Sequence, residues 1–147
     1  MSRVIQEKRP WYFWFKRDDS AVTTFLLSAT ALLVFGVSMG FILALQFVFP
    51  DLFRGVSWLV FGRLRQAHTN TVMFAFLSTG MIGMWYYIVP RLTGRKLWSE
   101  VLANITAALW VVFVIAGVVL LLLGQSQGRE YAEMIYVVDI GVMVVCI

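Results

Sequence analysis

The sequence contains one cysteine, one histidine and three prolines, and only 14% of its 147 residues are charged. A lone thiol, Cys146, excludes an internal disulfide, a CxxC redox pair, a zinc ribbon and covalent haem attachment through CxxCH. Set in an apolar run, it reads as a packing residue. Sparse charge beside 61% hydrophobic residues and a mean hydropathy of +0.82 also excludes an ordinary soluble globule. Usual composition is about 45–50% apolar and about 25% charged, and this chain has more apolar surface than one small core can hide. It reads as a membrane protein. The net charge of +4 and pI near 9.6 come from basic residues in short clusters between long apolar runs. That is the pattern of topology signals, and it argues against a nucleic-acid partner.

Ala21 to Phe49 runs for 29 positions without a charge, more than the roughly 20 a spanning helix needs. The run is about twice the length of a signal-peptide core and lacks a convincing cleavage site, so it is expected to stay as an anchor. Ala67 to Pro90 predicts a second span, closed by its proline, and Val101 to Gly124 an uncharged third. Met134 to Ile147 begins a fourth run of 14 residues, too short to cross about 30 Å of hydrocarbon at about 1.5 Å per residue. The expected fold is therefore all-α, a transmembrane helical bundle with three full spans plus the start of a fourth. Residues 1–147 form one membrane unit, with 1–20 a cytoplasmic interfacial arm and 21–49, 67–90, 101–124 and 134–147 the membrane helices. Such a chain reads as a split subunit, as the front of something longer, or as one whose last helix is completed by packing within protein.

Lys and Arg set the orientation. Arg3, Lys8, Arg9, Lys16, Arg17, Arg91, Arg95 and Lys96 make eight on one side, against four, Arg54, Arg63, Arg65 and Arg129, on the other. The N-terminus is expected in the cytoplasm, with Asp51, His68, Glu130 and Glu133 towards the outer face. Trp11 to Phe15, Trp85, Tyr86, Tyr87 and Trp98 read as interfacial anchors, with no chemistry attached.

His68 lies just inside the second span near the outer interface. Two readings are open: a helix-end residue bonded to headgroups or a neighbouring carbonyl, or a metal or haem ligand, since neutral imidazole is a common donor to iron. Arg65, three residues earlier, would sit one turn outward on the same face if the helix extends that far, where it suits a surface carboxylate. Thr69, Ala75, Ser78, Gly80 and Gly83 are small enough for a flat macrocycle or another helix to approach. Glu130 and Glu133 would share a face if the fourth helix starts there, either as a solvated first turn or as oxygen donors to a hard cation such as calcium. Asp139, further in, reads as a neutral or structurally paired acid.

The run Phe61-Gly62-Arg63-Leu64-Arg65-Gln66-Ala67-His68-Thr69-Asn70-Thr71-Val72-Met73-Phe74-Ala75-Phe76 resembles the entry to the second helix of the catalytic subunit, subunit I, of cbb-type haem-copper cytochrome c oxidases. Gly128-Arg129-Glu130-Tyr131-Ala132-Glu133 with Asp139-Ile140 resembles the entry to its fourth, and Gln46 to Pro50 the end of its first. The likeness runs from about Leu32 onward. It implies that His68 is an axial ligand of a low-spin haem b and that Arg65 neighbours a haem propionate. It also implies that Glu130 holds a calcium ion bridging the propionates, with Glu133 a propionate-region or calcium-shell residue. The family takes electrons from cytochrome c, reduces dioxygen to water at a high-spin haem b and copper centre, and translocates protons across a bacterial or archaeal cytoplasmic membrane.

Two departures qualify the match. Gln66 stands where the family often has proline. The second axial histidine and the copper ligands are absent, so the resemblance implies remaining catalytic-subunit helices or a separate chain to supply them, beside cytochrome c-type subunits. Met73, Met81 and Met84 share a span with His68, and one straight helix cannot clasp both faces of a haem. By this reading the chain alone lacks the dioxygen-reducing site and has no catalytic residue of its own. The alternatives are a portion of the nitric oxide reductase large subunit, a non-catalytic oxidase-derived membrane subunit, and an unliganded anchor.

Overall fold

The structure is a computed structural model that describes residues 19–129 and 133–146. The aromatic arm from Trp11 to Phe15, Glu130 and the side chain of Cys146 lie outside the described residues. Among those described there is no strand. Helix α1 spans Ser20–Val48. A second rod comprises α2 (Phe61–Asn70), a π-helical segment (Thr71–Ser78) and α3 (Thr79–Thr93). Helix α4 spans Glu100–Leu122 and α5 spans Tyr136–Cys146. Three of the four helical rods are long and apolar enough to cross a membrane, at 29, 33 and 23 residues. The expected all-α bundle of three spans and a shorter fourth helix is what the chain forms.

Two boundaries differ from expectation. The second rod starts at Phe61, and Pro90 does not end it. Proline removes one N–H and one ladder bond, and so near the terminus that loss does not stop the last turn from closing. Gly94, at φ 65, ends the helix, with its own N–H and that of Arg95 both turned back on the Pro90 carbonyl. The fourth helix begins at Tyr136, so Glu133 precedes it instead of lying on its face.

The start of α1 is secured by side chains from α4. Ser99 caps α4 itself, its Oγ accepting from the Leu102 N–H at 3.2 Å, and Glu100 follows in the first turn, where the helix dipole favours an acid. The Glu100 carboxylate then accepts from Asp19 N, Ser20 Oγ and Ala21 N, each at 3.2 Å, donors the first turn of α1 leaves unpaired. Asn104 donates to Ser20 Oγ at 2.8 Å and accepts from Thr24 Oγ1 at 2.7 Å. Arg91, from the end of α3, closes on Asp19 at 2.8 Å.

That ion pair makes a pH prediction. The hydrogen bond from Arg91 holds the Asp19 carboxyl below the usual carboxylate range. A carboxyl depressed in the folded state stabilises above its unfolded value, and the contribution is lost as pH falls through the folded one. Asp19→Asn is therefore expected to lower the unfolding temperature slightly at neutral pH, with the gap from wild type closing below about pH 4. Paired melts of the solubilised protein across that range check it. The effect is small because both side chains are nearly half exposed.

The second rod packs on α1 through small residues. Ala67, Thr71, Ala75, Thr79 and Gly83 are all buried and recur every fourth position. Inside a bilayer, helices associate by close packing more than by the hydrophobic effect, which favours such a stripe. A Cβ on Gly83 would lie 2.8 Å from Phe25 Cβ, and the fully buried Phe25 stacks on Tyr86 with ring centroids 5.4 Å apart. Tyr86 therefore packs between helices, whereas Trp85 and Trp98 remain exposed. Across the stripe, the Trp110 indole N–H donates to Thr79 Oγ1 at 2.8 Å. The small residues Ala75, Gly80 and Gly83 thus face other helices, the alternative to a macrocycle that their size allowed.

Towards the end of the bundle where α2 begins, Met39, Leu43, Leu64, Leu121, Met134 and Val138 form the main apolar cluster. It holds the segment before α5 against α2 and α4.

Candidate functional site

His68 lies two turns into α2, and its imidazole turns towards α1. Its Nδ1 is 2.9 Å from the Gly36 carbonyl oxygen. A carbonyl only accepts, so Nδ1 carries the proton and the lone pair is left on Nε2. No hydrogen bond uses Nε2 among the described residues, and the side chain is only partly buried. One nitrogen fixed by a backbone carbonyl and the other uncommitted is the arrangement that orients a metal-ligating histidine. The residues present fit a haem iron on that count.

The close approach depends on α1. Gly36 and Gly40 form a Gly-x-x-x-Gly pair on the face that meets the second rod. A Cβ added to Gly40 would lie 2.8 Å from His68 Cε1 and 3.3 Å from both ring nitrogens, and one added to Gly36 would meet Thr71 and Val72 at 3.3 Å. Thr71 itself donates to the Ala67 carbonyl at 2.7 Å. The π-helical segment begins three residues after His68, and such widened turns recur at functional sites.

Helix α2 does extend past Arg65, which therefore sits one turn nearer the start of the helix than His68. Its Nη2 lies 3.3 Å from Glu133 Oε1, with the guanidinium half exposed and the carboxylate almost wholly buried. Asn70 Nδ2 donates to Glu133 Oε2 at 2.8 Å and to the Gln66 carbonyl at 2.9 Å. Both carboxylate oxygens are thus engaged, and the Glu133 backbone carbonyl accepts from Gln127 N at 2.8 Å. Glu133 is no solvated first-turn acid; it ties the α4–α5 connection to α2. Beside it, Asn70 Oδ1 is buried without a partner, a group that ordinarily costs free energy until a donor or cation satisfies it.

For calcium, the described residues offer one carboxylate already neutralised by Arg65 and one orphaned amide oxygen. They are hard oxygen donors in kind, but no cluster of three or more His, Cys, Asp or Glu suited to a metal occurs among the described residues.

Of the expected site residues, the structure brings Arg65 and Glu133 into contact and sets His68 one turn further along α2. Asn70, Gly36 and Gly40 were not singled out in the sequence. The Gly-x-x-x-Gly spacing was the available signal for the glycines. Asn70 carried none, because only the fold shows that Glu133 is buried against it.

Residues 20–147 match the family model of cytochrome C and quinol oxidase polypeptide I. The chain is 34% identical over 112 residues to the cbb3-type cytochrome c oxidase subunit CcoN1 of Stutzerimonas stutzeri, covering 76% of this chain and 24% of that one. It is 34% identical over 135 residues to cytochrome c oxidase subunit 1 of Rhodobacter capsulatus, covering 86% and 24%. To a cytochrome c oxidase subunit 1 homolog of Agrobacterium tumefaciens it is 37% identical over 112 residues, covering 76% and 21%. A nitric oxide reductase subunit of Stutzerimonas stutzeri is also similar, at 31% identity over 148 residues, 89% of this chain and 30% of that one. The chain spans under a third of the length of each of these relatives. Helices built to cross a membrane, a histidine with one nitrogen committed and these matches agree: the chain belongs to the cytochrome c and quinol oxidase polypeptide I family of respiratory electron transport and corresponds to the N-terminal portion of a haem-copper oxidase subunit I.

Proposed function

We propose that this chain supplies one wall of the low-spin haem b pocket in a cbb-type terminal oxidase, a complex that takes electrons from cytochrome c and reduces dioxygen to water with proton translocation. The observation that carries the reading is the bond between His68 Nδ1 and the Gly36 carbonyl, which leaves the Nε2 lone pair as the donor that would hold a haem iron. A haem held there supplies one-electron redox chemistry. The protein's part is to hold its own groups in place. Gly36 and Gly40 fix the plane of the imidazole, and Arg65 offers its exposed guanidinium to a propionate. Glu133 holds Arg65 from the buried side, which supports the propionate-region role over the calcium shell. Glu130 is proposed as the calcium residue on the strength of the motif alone. The second axial histidine, the high-spin haem b and the copper belong to the remaining helices of the subunit or to a separate chain, beside cytochrome c-type subunits. The proposed location is a bacterial or archaeal cytoplasmic membrane, with residues 1–20 on the inner face and Arg65, His68 and Glu133 near the outer.

A reduced-minus-oxidised spectrum of the purified complex, together with gas uptake, tests the reading. The expected result is a six-coordinate b-type band and dioxygen consumption with reduced cytochrome c. No b-type haem would refute it. Similarity to the nitric oxide reductase relative keeps one alternative open, and consumption of nitric oxide without dioxygen uptake would decide for it.

A further inference from the structure

Hydroxyl side chains along the rods record how the backbone winds. In an α-helix a Ser or Thr hydroxyl reaches back to the carbonyl four residues earlier, and Thr23, Thr30, Ser38, Thr69, Thr71 and Thr106 all do so at 2.7–3.1 Å. Ser78 and Thr79 depart from that pattern. Their hydroxyls donate to carbonyls five residues earlier, Ser78 to Met73 at 2.9 Å and Thr79 to Phe74 at 3.3 Å. Those are the partners that the wide turns of Thr71–Ser78 bring within reach. Thr79 Oγ1 also accepts from the Trp110 indole N–H at 2.8 Å, so its own proton is directed to Phe74. Both residues are buried, where an indole N–H without an acceptor is costly. Trp110 and Val114, one turn apart on α4, also cluster with Ala75 in the middle of the π-helical segment. Helix α4 thus meets the segment at its middle and just past its end. The angle between those two positions about the rod axis is what changes when turns widen or tighten.

We propose that Thr79 and Trp110 are positioning residues for His68: their bond holds Thr71–Ser78 in its wide turns and, through the backbone of the same rod, sets the direction of the imidazole. Neither residue supplies a ligand. The proposal rests on the haem reading for what the imidazole binds, whereas the winding of the segment is measurable without it.

The purified whole complex tests this with two readouts. One is the low-spin ferric electron paramagnetic resonance signal, whose g values follow the orientation of the axial imidazole planes. The other is hydrogen–deuterium exchange across Thr71–Ser78, which needs no haem. Thr79→Val removes the hydroxyl at nearly constant shape, and Trp110→Phe removes the indole N–H while keeping a ring. Both are expected to retain the b-type band, shift the g values and speed exchange in the segment about fivefold, as the loss of one ordinary hydrogen bond does. Where Thr79→Val does not give an intact complex, Trp110→Phe reads the same bond. Thr79→Ser restores the hydroxyl and is expected to return both readouts to wild type. Thr30→Val, which removes an exposed hydroxyl of the ordinary four-residue kind, is expected to change neither. A lower melting temperature with unmoved g values would make the bond a packing contact and overturn the proposal. Failure of Thr79→Ser to restore the signal would overturn it too. Survival of the b-type band in His68→Ala is the separate failure of the haem reading, and exchange then still decides for or against the hold on the winding.

Discussion

With His68 replaced by alanine, the assembled complex is expected to lose its low-spin b-type signal altogether while its helices stay inserted. Alanine removes two things of unequal size. One is the hydrogen bond to the Gly36 carbonyl, worth about 1 kcal/mol. The other is the Nε2 lone pair, the only imidazole donor in the chain. Methionine sulfur can ligate haem iron in principle, but Met73, Met81 and Met84 lie five or more residues further along the same rod and cannot occupy the position of Nε2. His68→Asn separates the two contributions, because its amide can still donate towards Gly36 while offering no ligand of comparable strength. Both variants are expected to lack the band, and only alanine should lose the extra thermal stability. Pyridine haemochrome content and the reduced-minus-oxidised spectrum check the outcome. A b-type band that survives in His68→Ala would remove the ligand assignment.

Gly40→Leu is expected to have the second largest effect, on a residue that bears no chemistry. Alanine in place of a mid-helix glycine normally stabilises by up to about 1 kcal/mol. At Gly40 the sign should reverse, because the added Cβ meets His68 Cε1 at 2.8 Å and overpacking of this kind costs about 1–3 kcal/mol. Leucine has no small displacement available and must drive the ring away from Gly36. Its expected signature is a shifted and diminished low-spin band, graded from glycine through alanine to leucine, together with a lower melting temperature. Gly62→Ala is the control: nothing lies within 4 Å of its Cβ, so it should leave the spectrum unchanged. An alanine at Gly40 that stabilises the protein with an unaltered band would mean that the imidazole is placed elsewhere.

The fold was readable in the sequence to the extent that hydropathy governs it. Three apolar runs became three long helices, with boundaries at α1 and α4 within two residues of those expected. Where hydropathy is silent, expectation failed. The stretch Phe61 to Gln66, with Arg63 and Arg65 in it, carries no span signal, yet it is helical because the segment packs on α4 and the α4–α5 connection through Leu64. Pro90 has the residue type of a helix stop, while the actual stop is Gly94 in a left-handed conformation. At the candidate site, the placing of Arg65 one turn before His68 on the same helix was legible from spacing. The burial of Glu133 was not, since a charged residue in an outer connection reads as solvated until its partners Arg65 and Asn70 are known.

The π-helical segment sets the azimuth of the imidazole. In a uniform α-helix, positions four apart drift by about 40° around the axis, and a stripe from Ala67 to Gly83 would spiral away from its neighbour. The wider turns of Thr71–Ser78 absorb that drift, which is why Phe25 can grip one end of the rod and Gly36 the other along a nearly straight seam. Were those eight residues to tighten to α geometry with Gly83 held, the drift of about 40° per four-residue step would return and carry the imidazole off its carbonyl. The compass bearing of the proposed ligand thus depends on how the chain winds just after it, from Thr71 to Ser78.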